Sequence, residues 1–143
     1  PLVVKGAGTQ DNDSLVTLQE LMPTILDIAG AKPKKPVDGE SLLPLMNGEK
    51  KSNGREHIFC EYHNHFYVAR QRMVRDLDYQ FTFNESERGE LYDLKKDPYQ
   101  LHNVCYDPAY KDIKKKYMDI MSDYMKETED PAGVWFHRIK EFY

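Results

Sequence analysis

Apolar residues along this chain recur at two different periods, and the change falls inside one short charged segment, Glu49 to Glu56. Upstream, Leu21, Met22, Ile25, Leu26 and Ala29 follow the spacing of one helix face. Downstream, Ile58, Cys60 and Tyr62 alternate with His57, Phe59 and Glu61, and Tyr79, Phe81 and Phe83 alternate with Gln80 and Thr82. Strand side chains swap faces at every residue, whereas helix side chains return to a face after each turn, so one element cannot satisfy both patterns. The expected fold is α/β as a whole and α+β in its C-terminal part. Residues 49–56, charged and carrying Gly54, are the expected linker between a region 1–48 and a region 57–143.

The upstream region opens on Pro1-Leu2-Val3-Val4, an apolar run without an initiator Met. It reads as the last strand of a sheet whose other strands lie upstream, because a buried strand needs neighbours and the next forty residues supply none. The helix that follows is predicted to start near Gln19 or Glu20, since Pro23 is tolerated only in a first turn. Gly30 should end it as a left-handed cap. Ser41 is placed to cap a short turn over Leu42 to Met46, which stops at Asn47-Gly48.

In the downstream region four strands are predicted: His57 to Tyr62, Val68 to Arg75, Asp78 to Phe83 and Glu90 to Leu94, with a tight turn at Arg75-Asp76-Leu77-Asp78. Asp107-Pro108 signals a helix start. Tyr110, Ile113, Tyr117, Ile120, Met121, Tyr124 and Met125 make its apolar stripe, and Asp112 with Lys116 forms an outer i,i+4 pair. Burial is worth about 1.5–3 kcal/mol per such side chain, enough to dock this helix on one face of the sheet. Asp130-Pro131 repeats the start signal, and Val134, Trp135, Ile139 and Phe142 suggest a final short helix.

Composition narrows the function. Twenty-four acids against 20 bases give a net charge of -4, which offers no electrostatic case for nucleic acid. No apolar run approaches a membrane span, and no signal peptide opens the chain. Cys60 and Cys105 are expected as free thiols in apolar surroundings. Cys60, His63 and His65 lack a fourth ligand for zinc. Lys114-Lys115-Lys116 reads as a solvated helix face rather than an anion site.

Four segments, in order, carry a resemblance. Leu18-Gln19-Glu20-Leu21-Met22-Pro23-Thr24-Ile25-Leu26-Asp27-Ile28-Ala29-Gly30 after the apolar opening, Asp38-Gly39-Glu40-Ser41-Leu42-Leu43-Pro44-Leu45-Met46, Arg72-Met73-Val74-Arg75 with Tyr79, and Glu90-Leu91-Tyr92-Asp93-Leu94-Lys95-Lys96-Asp97-Pro98 through Asn103 resemble motifs of the C-terminal part of formylglycine-dependent sulfatases, in the alkaline phosphatase superfamily. Three positions depart from the motifs: Glu20 stands for the usual Asp, Gln80 for Lys and Gln100 for Glu, all expected at surface or capping positions. Gly30 and Gly39 suit positive-φ turns, Asp97-Pro98 a type I turn, and Asn103 a bond to backbone within that turn.

The resemblance implies a parent sulfuric ester hydrolase that uses formylglycine and calcium. Neither group has its motif here: Cys60 is followed by Glu61-Tyr62 and Cys105 by Tyr106-Asp107. The expectation is a region with no catalytic residue and no metal ligand, inactive by itself, partnered by an upstream catalytic domain of the same chain. His63, His65 and Arg72 are the candidate substrate-binding residues, an outer subsite for a sulfated small molecule or glycan, the alternative being a polar loop that packs on the upstream domain. Imidazole bonds hydroxyl and sulfate oxygens, and guanidinium binds sulfate as a fork. The resemblance favours an extracytoplasmic location. The alternatives are a phosphonate or phosphodiester hydrolase of the same superfamily and a non-catalytic binding module.

Overall fold

The computed structural model describes residues 2–6, 11–63, 70–85 and 87–140. They fall into two compact units, residues 1–58 and 59–143.

In the first unit Leu18–Glu20 form a 3-10 turn that runs into α1, Leu21–Ile28. Glu20 closes a capping box with Thr17: its carboxylate accepts from the Thr17 backbone N–H and hydroxyl, and Arg55 pairs with its other oxygen. Of the surface or capping roles expected for Glu20, it takes the capping one, and its side chain is buried as an anion held by a cap and a cation. At the far end Gly30 takes φ +67°, Gly30 N–H reaches the Asp27 carbonyl at 3.0 Å and Ala31 N–H the Leu26 carbonyl at 2.8 Å. That paired arrangement is a Schellman cap.

Two of the motif segments are stitched to each other here. The Ser41 hydroxyl donates to Asp27 Oδ2 at 2.6 Å and accepts from Leu43 N–H at 3.2 Å, capping α2, Leu43–Met46. Leu42 N–H donates to the Thr24 hydroxyl at 2.9 Å. Gly39 is needed for space rather than for positive φ, contrary to the expectation: a Cβ there would lie 2.1 Å from the Gln19 carbonyl oxygen. Leu2, Val3 and Val4 form no strand and are exposed, because a strand exists only as a paired ladder and none forms with them among the described residues.

The second unit holds a four-stranded antiparallel sheet in the order β1 (Ile58–His63), β2 (Arg70–Arg75), β3 (Tyr79–Asn84), β4 (Glu90–Asp93). The β2–β3 hairpin turns at Asp76, whose Oδ1 accepts from Asp78 N–H at 2.7 Å and Tyr79 N–H at 2.8 Å. Register pairs Val74 with Phe81 and Phe81 with Leu91, so one face carries the buried residues. The long helix α3, Lys111–Glu127, covers that face with Tyr117, Met118, Met121 and Met125, and α4, Gly133–Ile139, adds Phe136 against Phe83. Phe136 and Gly133 are the buried residues of the last helix, and Ile139 packs against the core partly buried. Val134 and Trp135 are exposed and Phe142 lies outside the described residues.

Strand β1 shows what alternation alone leaves open. Phe59 stacks on Tyr124 at 3.7 Å, so the face holding Phe59, Glu61 and His63 is the helix side, and Cys60 is exposed rather than buried. Both cysteines are free, and burial pushes the Cys105 thiol up.

The segment after β4 closes that sheet edge. Asn103 Oδ1 accepts from Leu91 N–H at 3.1 Å and Cys105 N–H at 2.9 Å, while its amide donates to the Gly89 carbonyl at 3.1 Å. The motif asparagine therefore bonds the strand edge, not the Asp97-Pro98 turn. That turn closes through Gln100 N–H on the Asp97 carbonyl at 3.1 Å.

Candidate functional site at the β1–β2 edge

Pleating puts Arg72 on the same side of β2 as Val74, opposite Phe83 on β3. A guanidinium there is removed from water: the Arg72 side chain is 3% exposed. Its counter-charge comes from 58 residues away. Asp130 follows the C-terminus of α3, where Asp130 N–H caps Met125 and Glu129 adopts φ +53°. Its carboxylate takes Arg72 Nε and Nη2 together, the latter at 2.9 Å, and Oδ1 also accepts from Ala132 N–H at 2.9 Å. Burial alone would raise the Asp130 carboxyl, but the Arg72 and Ala132 bonds outweigh it and hold it below the usual carboxylate range. Burial likewise works against the Arg72 cation, and the Asp130 bond and charge more than restore it.

The outer side of the same guanidinium faces β1. Arg72 Nη2 lies 3.4 Å from His63 Nε2 and 3.6 Å from Glu61 Oε2, and His63 Nε2 lies 3.4 Å from Glu61 Oε2. Glu61 and His63, two apart on one strand, share a face, and both are well exposed, at 40% and 59%. The result is a graded site with a buried ion pair at its base and an acid and an imidazole at its rim. The Arg72 fork is engaged by Asp130, and its Nη2 adjoins His63 and Glu61.

His63 and Arg72 are therefore brought together as neighbours, while His65 lies outside the described residues. Glu61 and Asp130 complete the site. Asp130 was legible only as a helix cap, although a core-facing Arg at position 72 demanded a buried anion somewhere in the fold.

Among the described residues no three His, Cys, Asp or Glu side chains converge to hold a metal.

An antiparallel four-stranded sheet covered by a long helix is the architecture of sulfatase C-terminal regions in the alkaline phosphatase superfamily. The chain belongs to that group: the family model described as N-sulphoglucosamine sulphohydrolase, C-terminal, matches residues 1–127. An uncharacterized protein of Haemophilus influenzae is 37% identical over 129 residues, covering 90% of this chain and 66% of its own length. The Delta 4,5-hexuronate-2-O-sulfatase of Bacteroides thetaiotaomicron is 33% identical over 139 residues, covering 91% of this chain and 29% of its own. Among solved structures, a 2-O GAG sulfatase superposes with TM-score 0.70 at 33% identity, over 78% of this chain and 25% of that one. A phosphonate monoester hydrolase from Silicibacter pomeroyi gives TM-score 0.62 at 25% identity, over 76% and 24%. The chain thus spans about two thirds of the first relative and less than a third of the others.

Proposed function

We propose that this chain is the C-terminal part of a sulfuric ester hydrolase acting on a sulfated sugar, and that its share is scaffold plus an outer substrate subsite. The observation that carries this is the family match over residues 1–127, together with relatives whose printed activities are sugar sulfatases. In this reading residues 1–48 complete the catalytic domain, with Leu2-Val3-Val4 pairing strands outside this chain and the exposed Ile25 and Ile28 of α1 covered there. Residues 49–56 link it to the sheet subdomain. The nucleophile and the calcium ligands lie in the rest of the protein, so residues 1–143 are inactive alone. The described helices include none long and apolar enough to cross a membrane, and the reading places the enzyme outside the cytoplasm.

His63, His65 and Arg72 form the subsite. The exposed His63 ring donates to a sulfate oxygen, the Glu61 carboxylate accepts from saccharide hydroxyls, and Arg72 keeps both in place from below. No proton is transferred here and no bond to sulfur is broken. A hydrogen bond to a charged group is worth about 1.5–3 kcal/mol, so the full-length enzyme with His63→Ala and His65→Ala should show a KM for its sulfated saccharide raised about tenfold or more. Its kcat should stay within about twofold. Unchanged KM and kcat would refute the subsite.

The second reading is a phosphonate or phosphodiester hydrolase, favoured by the Silicibacter pomeroyi likeness. Phosphonate release without sulfate release by the full-length protein would select it.

A further inference from the structure

A cleft of about 620 Å³ opens between the segment after β4 and α3, and it shares no residue with the Glu61–His63–Arg72 site. Buried Cys105 and Met118 line it, and the half-exposed ring of Tyr106 borders it. Lys111, Lys114 and Lys115 stand at i, i+3 and i+4, so α3 presents all three on one side, and Lys140 joins them from the end of α4. Tyr106 is fixed in place: its hydroxyl accepts from Gly89 N–H at 3.1 Å, and Arg88 and Lys114 lie 4.3 and 5.1 Å from its ring centre. The cleft has four lysines against two carboxylates, Asp107 and Asp119. Asp107 bonds Ala109 N–H, and Asp119 pairs with Lys115 at 3.0 Å. The local balance is positive in a chain whose net charge is -4.

The lysine run expected to be a plain solvated face is divided by the fold. Lys115 is 77% exposed and pairs with Asp119 one turn on, as a solvated face would have it, and Lys116 lies 5.3 Å from the Tyr117 ring; Lys114 instead reaches the Tyr106 ring on the segment after β4. From Lys111 to Lys115 the helix rises roughly 6 Å, so the cations are strung along the cleft instead of converging on one point. That spacing suits several anionic groups carried on one scaffold. The apolar floor and the aromatic border suit the faces of sugar rings, and the volume lies within the ordinary range for a small-ligand site of roughly 300–1,000 Å³.

We propose that the Tyr106 cleft is a second binding site, for a sulfated oligosaccharide, sharing no residue with the His63 rim. The choice of a saccharide over other polyanions rests on the sulfatase reading. The charge complementarity itself does not.

Titration calorimetry of the full-length protein with a sulfated hexuronate–glucosamine hexasaccharide tests this. Lys111→Ala/Lys114→Ala is expected to remove one bound saccharide per chain, and Lys111→Arg/Lys114→Arg to keep it. High salt should weaken the event, because exposed charges are screened within about 10 Å at 0.1 M. Identical stoichiometry and affinity in the alanine variant would overturn the proposal, as would equal binding of the unsulfated hexasaccharide. Turnover of a monosaccharide sulfate, measured in parallel, should be unaffected. If the parent shows no turnover at all, the sulfatase reading fails while the calorimetry still decides the cleft.

Discussion

Arg72 occupies a position that the pleat gives to the core, and its stability there depends on one carboxylate. Removing one partner of a buried ion pair leaves the other uncompensated, so Asp130→Ala should cost about 3–5 kcal/mol, read as a fall in denaturation midpoint of the full-length protein. The pH dependence has a definite sign. Asp130 titrates below its ordinary value of 3.8 in the folded state, so its contribution is complete above that value and is lost as pH falls through the lower folded one. Asp130→Asn should flatten that acid limb. Glu129 is the opposite case. It holds φ +53° in a cap position that glycine fills without steric cost, and its side chain is exposed. Glu129→Gly should therefore stabilise by about 0.5–1 kcal/mol in the same denaturation assay. The two departures at Gln80 and Gln100 also resolve at this scale. The Gln80 amide donates to Gln100 Oε1 at 3.1 Å, so a neutral pair stands where the motifs have Lys and Glu. Neither position, 20 residues apart, announces the other in sequence.

Elements were legible where a local rule decided them. Gly30, the Asp107-Pro108 start and the Asp76 hairpin each rest on backbone chemistry within a few residues, and each forms as expected. What stayed hidden depends on partners far along the chain. Alternation marked β1 as a strand but not which face Phe59 would bury, since that is set by Tyr124 on α3. Gly39 looked like a turn glycine, and its real constraint is the Gln19 carbonyl. Gly39→Ala must push two backbone segments apart, at a cost of about 1–3 kcal/mol, which thermal unfolding would register. Asn103 stands in for a fifth strand by satisfying Leu91 N–H on β4 and the Gly89 carbonyl just before it. Asn103→Ala should destabilise by about 2 kcal/mol and speed amide exchange at Leu91, because a buried donor loses its partner.

Taken whole, the chain supplies order rather than chemistry in the proposed reading. The motif residues Thr24, Asp27, Ser41 and Asn103 are spent on caps and strand edges, and the Arg72 fork is spent on Asp130. The groups left facing outward, His63 with Glu61 and the lysines beside Tyr106, are those to which the proposals assign the holding of a charged saccharide. The family was readable from four short motifs in order, because those motifs encode backbone geometry that survives in one sequence. The binding surfaces were only half readable, since each joins residues from strands and helices whose adjacency exists only after folding. The most direct test is sulfate release from a saccharide sulfate, measured side by side for the full-length protein and for residues 1–143. The account predicts turnover by the full-length protein and none by the shorter chain. Catalytic turnover by residues 1–143 with no other polypeptide present would contradict it.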